Sequence, residues 1–400
     1  MAQSHSHEDL YLGKFSLPSW LKMTPYILFA IGLITFAVGL MQSPQRAWSA
    51  FLTAFFFFAC LGVGGLFFAA INHLTKAGWS VTVRRLAEGL TSYLPAMAVG
   101  AVILFVGAKI LYSWADAEKV AADHLLQLKS AYLNPGFFAI RLVVFCGGLL
   151  LFKKWLVGGS LRQDLTGDEN ITHKSVGYSI AFVLFFAIFF SLFSVDLLMS
   201  LLPTWYSTIF GVYCFAGLFQ STMAALSIII VLLRRSGLVR GYITEEHQHD
   251  VAKFMKAFTV FWAYIAFSQF MLIWYANIPE ETEYYIMRSQ HGWLWISLGL
   301  LFFRFIFPFL VLLPRGSKRN GSVLIAVSVL ILVMQYVDIY WMVYPNFFEG
   351  QLLFGFWEIG IFLGFAGVFL FTLFRFFEKH NLVPIKDPRL HEALDHHVTY

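Results

Sequence analysis

Six ionisable side chains lie inside long apolar stretches of this sequence: Asp196, Asp338, Glu358, Arg304, Lys109 and Arg141. A charge at the centre of a spanning helix costs about 3 kcal/mol, so such groups face the protein interior and mark either a pathway or an internal ion pair. Desolvated carboxylates can titrate near neutral pH, which suits Asp196, Asp338 and Glu358 to proton relay, with Arg304 as their cation. The competing reading pairs Arg304 with one Asp structurally and lets Lys109 and Arg141 extend to the headgroups. Polar residues elsewhere in the helices could extend a relay: Asn72 and His73 at one helix end, Tyr178, Gln220, Tyr264, Ser268 and Gln269. Ordinary interhelical hydrogen bonds account for the same residues equally well.

Other chemistries lack their residues. The three cysteines, Cys60, Cys146 and Cys214, are widely separated, and no C-x-x-C occurs to hold an iron–sulfur cluster or attach a c-type haem. None of the 12 histidines falls mid-helix, where axial ligands of a membrane haem would project. No phosphate loop, Ser/His/Asp array or metal-ligand pair at helical spacing is present. The chain is therefore expected to carry no cofactor of its own and no metal.

The elements that position these groups follow from composition. Of 400 residues, 59% are hydrophobic and 13% charged, too apolar for a water-soluble core to hide. Ten stretches of about 20 apolar residues predict membrane spans near 25–42, 50–72, 93–114, 136–157, 176–201, 206–233, 254–278, 291–313, 321–344 and 352–376. The fold class is thus all-α and polytopic, with a tail at 1–24, a transmembrane domain at 25–376 and a tail at 377–400. Lys and Arg collect 21 to 4 on the side of the termini, which predicts a cytoplasmic N- and C-terminus. The formal charge of +5 is explained by this bias, and no nucleic-acid partner is implied. The N-terminal segment with His5, His7, Glu8 and Asp9 is not built like a secretory signal. The tail histidines His380, His391, His396 and His397 lack a ligand spacing. The long outer loop from Trp114 to Pro135 could form an amphipathic surface helix.

A short internal repeat organises the spans. Val195-Asp196-Leu197 lies seven residues before Pro203, and Val337-Asp338-Ile339 lies seven before Pro345. An offset of four spans preserves direction, so helices 2–5 and 6–9 are expected to be two parallel four-helix bundles, with helices 1 and 10 added. Asp338 and Glu358 each fall about six residues, ~9 Å, from the outer ends of consecutive antiparallel helices, and are expected to face one another.

The run Ser194-Val195-Asp196-Leu197-Leu198-Met199-Ser200-Leu201-Leu202-Pro203-Thr204-Trp205-Tyr206 resembles the helix 5–6 junction of the NrfD-like, polysulfide-reductase-type membrane subunits. Tyr336-Val337-Asp338-Ile339-Tyr340-Trp341, Pro314-Arg315 and the tail Pro384-Ile385-Lys386-Asp387-Pro388-Arg389-Leu390 resemble its ActF branch, the second large membrane subunit of bacterial alternative complex III. The likeness runs over nearly the whole chain. It implies a subunit of a quinol-oxidising respiratory complex in the bacterial inner membrane, beside a sister NrfD-like subunit, a multihaem cytochrome c subunit and an iron–sulfur subunit that hold haem c and the clusters. It also implies scaffolding and proton transfer as the tasks of this chain. A quinol or quinone site here would use aromatics near the outer side, Trp205, Tyr206, Tyr340 and Trp341, with His291 or Asp338 bonding a ring oxygen; an interfacial belt is the alternative role of those aromatics. An ion-coupled secondary transporter, using the same carboxylates, is the rival reading of the whole chain.

Overall fold

The computed structural model describes residues 10–348 and 350–396. The tail residues His5, His7, Glu8, Asp9 and His397 lie outside this range. Among the described residues, ten helices are long and apolar enough to cross a membrane. They are α1 (Thr24–Gln42), α2 (Pro44–Leu74), α3 (Gly78–Val106), α4 (Pro135–Thr166) and α5 (Asn170–Leu201). Then come α6 (Phe210–Arg235), α7 (Glu245–Ala276), α8 (Trp293–Val311), α9 (Gly321–Asn346) and α10 (Phe356–Lys379). The protein is an integral membrane protein, and its all-α class is as expected. The one sheet among the described residues is a two-residue antiparallel pair, β1 (Tyr11–Leu12) against β2 (Val239–Arg240).

Packing follows the repeat. In the first unit α2 packs on α3 and α5, and α4 closes the ring between them; in the second α6 packs on α7 and α9, and α8 closes that ring. The units meet through α2 and α6, whose apolar surfaces are almost wholly buried, while α1 and α8 leave most of theirs exposed for lipid. Helix α10 packs along α1 and α2. Gly32 and Gly364 bring α1 and α10 so close that a β-carbon on either would strike the other's backbone. Glu358 meets Tyr344 of α9 and Arg46 of α2, and the expected meeting with Asp338 does not occur.

The third span begins at Gly78, not near residue 93. Its added N-terminal part holds Arg84, Arg85 and Glu88, all buried, because each finds an ionic partner inside the protein. Arg84 reaches Asp387 of the C-terminal segment at 2.5 Å, Arg85 reaches Asp164 at the end of α4 at 2.7 Å, and Arg85 meets Glu88 at 2.8 Å. These charges look like exposed topology markers in the sequence and are instead a buried brace. The outer loop forms two short helices, Ala117–Ala122 and His124–Lys129, capped by Asp116 and Asp123.

Candidate functional site

Asp196, Asp338 and Glu358 are each paired with a separate arginine. Arg141 on α4 bonds Asp196 on α5, Nε to Oδ2 at 2.6 Å. The Tyr132 hydroxyl donates to the other oxygen of Asp196 at 3.1 Å, and the guanidinium lies 4.0 Å over the Tyr132 ring. Burial, aided by Asp196, pushes the Tyr132 hydroxyl up to about 12, so it stays a donor. Arg141 is buried and does not extend to headgroups, which corrects the snorkelling expectation for it; Lys109, exposed and 3.6 Å from Asp116, fits that expectation.

The second unit repeats the pair on the equivalent helices. Arg304 on α8 meets Asp338 on α9, Nη1 to Oδ2 at 2.7 Å, and both are buried. Tyr213 of α6 donates to Asp338, and Gln335 accepts from Arg304. Gln220 accepts from Arg304 Nε at 3.2 Å and donates to Thr259 at 3.0 Å. The guanidinium also lies 4.4 Å from the Trp262 ring centre. Residues Leu300–Ile306 around Arg304 form a π-helical turn, an extra residue per turn of the kind often found at functional sites. Pro308, just beyond, lacks the N–H that would restore the α-helical pattern.

Glu358 forms the third pair. Arg46 at the start of α2 grips it with two bonds of 2.7 and 2.8 Å, while the Tyr344 hydroxyl at 2.8 Å and the Gly355 N–H at 2.7 Å fill its remaining acceptor positions. In the sequence Arg46 falls between the first two expected spans, and its pairing depends on α10 returning beside α2. The three carboxylates therefore form three separate pairs in place of a single cluster.

Two more cations, from the loops opposite the termini, clamp helix ends, again in equivalent places. Lys129 donates to the carbonyl of Pro203 after α5. Arg288 donates to the carbonyls of Trp341 and Met342 near the end of α9, at 3.1 and 3.0 Å, and stacks 3.5 Å over Tyr284. Cations there complement the negative end of the helix dipole. An arginine or lysine between the second and third spans of each unit is the available sequence signal.

A cavity of about 760 Å³ opens sideways from the second unit between α7, α8 and the short helix Pro279–Met287. Its walls are aromatic and aliphatic, including Phe270, Tyr285 and Trp341, with Gln269, Arg288 and Ser297 as polar members. Tyr213 and Trp262 line it as well, so the cavity reaches the groups around Asp338 and Arg304. No single motif marks this cleft, because its lining comes from five separated segments.

Of the remaining expected residues, His73 is buried in the last turn of α2 with its Nε2 unbonded. Tyr264 is 63% exposed on α7 and joins none of the three pairs, a correction to its place in a relay. Ser221 and Thr222 bond back to Leu218 of their own helix. The aromatics proposed for quinone are not in the cleft, with the exception of Trp341. Trp205 is buried beneath Tyr284, ring centres 3.9 Å apart, and Tyr340 donates to the Leu353 carbonyl at 3.0 Å. His291 is exposed, in a left-handed conformation beside Gly350. Trp205 and Tyr340 are held by local packing, which spacing in the sequence does not reveal. No family model matches this chain, and no curated protein matches it.

Proposed function

We propose that this chain is a haem-free and cluster-free transmembrane subunit of a quinol-oxidising respiratory complex, of the NrfD-like type seen in alternative complex III. The termini lie on the cytoplasmic side of a bacterial inner membrane, and electrons leave through haem and iron–sulfur groups on partner subunits. One observation carries the reading: the lipid-facing cleft of the second unit touches Tyr213, which donates to the Asp338 carboxylate paired with Arg304. A membrane-dissolved ring compound enters such a cleft without crossing water, and its aromatic walls suit a planar head. Oxidation of a quinol releases two protons and two electrons. Tyr213 and Asp338 offer a path for a proton leaving the ring, while the electrons require the partner subunits. Arg304 is the counter-ion of that carboxylate.

Purification of the tagged protein in mild detergent tests this. Co-isolation of haem- and cluster-bearing subunits with quinol-oxidising activity is expected. A lone protein that transports solute in liposomes would overturn it in favour of the transporter reading.

A further inference from the structure

We propose that the basic end of the α1–α10 pair is a binding site for the phosphate headgroup of an anionic membrane phospholipid. A cavity of about 370 Å³ lies where the start of α1 meets the end of α10, and Lys22, Arg375 and Lys379 line it with a single carboxylate, Glu378. Three cations against one anion leave an excess of two positive charges around a concave space. Among the described residues, none of the three cations forms an ion pair with a carboxylate, in contrast to the buried arginines of the two units.

The placement suits a lipid. Arg375 and Lys379 are four residues apart, hence on one face of α10, and Lys22 comes from the last turn of the short helix Ser19–Lys22 that leads into α1. The cavity is therefore at the membrane boundary on the cation-rich side. Phe371 and Tyr26 form its inner wall, ring centres 5.4 Å apart, and the Arg375 guanidinium sits 5.8 Å over Phe371. Beyond them the outward faces of α1 are apolar and open, with Phe29 47% and Leu33 57% exposed. Headgroup phosphate at the three cations and acyl chains along α1 satisfy both surfaces at once. Cations that only set topology would have no need to converge on a cavity. A phosphate held there would also bridge α1 to α10, whose apposition otherwise depends on close glycine contact. This inference goes beyond the quinol reading and does not depend on it.

The test uses full-length protein, with any co-purifying partners, stripped of lipid in detergent. Tetraoleoyl cardiolipin, dioleoyl phosphatidylglycerol, dioleoyl phosphatidylcholine and inorganic phosphate are added separately, and retention by native mass spectrometry and Tm are read. The two anionic lipids are expected to be retained and to raise Tm in the wild type and in a Lys119→Gln control. The triple variant Lys22→Gln, Arg375→Gln, Lys379→Gln should bind them on the order of a hundredfold more weakly, whereas Lys22→Arg, Arg375→Lys, Lys379→Arg should bind as wild type. Equal binding by the neutralised triple variant overturns the site. Equal stabilisation by phosphatidylcholine overturns the role of anionic charge, and equal stabilisation by inorganic phosphate overturns the lipid as occupant. Should the triple variant fail to insert, Arg375→Gln alone is expected to weaken retention about fivefold, and unchanged retention overturns the proposal.

Discussion

In the first unit the Arg141–Asp196 pair sits near the helix ends opposite the termini, against Tyr132 and Phe137, and beneath it the space is packed with phenylalanine: Phe145 on Phe193, Phe193 on Phe56, Phe190 on Phe186. In the second unit the equivalent Arg304–Asp338 pair is deeper and continues into Gln220, Gln335 and Thr259, and a cleft reaches its tyrosine. Two copies of one helical plan thus hold the same ions for different ends. A dry aromatic layer below Asp196 makes that pair a fastening between α4 and α5. Hydrogen-bonding side chains surround Arg304, and a cleft lined by Tyr213 borders the second pair.

The sharpest way to break this contrast is to remove each carboxylate. Asp338→Ala leaves Arg304 fully buried without its anion and should destabilise by about 3–5 kcal/mol in thermal or denaturant unfolding. Asp196→Ala should cost less, about 2 kcal/mol, because Arg141 sits near the helix ends and keeps the Tyr132 ring and carbonyl. Equal losses would mean that the two surroundings do not matter energetically. Next come the helix-end clamps. Arg288→Gln loses a stacked cation with three carbonyl partners and should cost about 2–3 kcal/mol, against about 1 kcal/mol for Lys129→Gln, measured the same way.

The cleft predicts an effect on activity alone. Ala266→Trp, on the cleft wall, should lower quinol oxidation by about tenfold, equivalent to roughly 1.4 kcal/mol, with Tm unchanged. Unaltered kinetics in a well-folded variant would separate the cleft from the reaction. The smallest contrast is between the tyrosines: Tyr213→Phe and Tyr132→Phe should each cost about 1 kcal/mol in stability, but only Tyr213→Phe should slow turnover.

How much of this was legible in the sequence varies by kind. Ten spans, their even count and the parallel duplication could be read from run lengths and from the two V-D-(L/I) strings, because lipid demands long apolar helices whatever they pack against. The duplication also pointed to Asp196 and Asp338 as equivalent positions. Partner choice was not legible. Glu358 was expected opposite Asp338 since α9 and α10 are consecutive, yet the glycine contact with α1 takes α10 to Arg46. Nothing local in the sequence distinguishes Arg84, Arg85 and Arg288, which are buried braces, from exposed topology markers. The start of α3 was misplaced for the same reason.

Composition and periodicity by themselves determined that this chain lives in lipid, as ten helices in two related sets with rare charges held inside. Tertiary structure alone decided which arginine answers each carboxylate, that the second unit is polar and open where the first is dry, and that three cations converge between α1 and α10. The reason is physical. Hydrophobic burial depends on how much apolar surface a segment carries, which is a sum over neighbours in sequence. Ion pairs and cavities depend on distances of a few ångströms between segments far apart in the chain, and those exist only once the helices have packed.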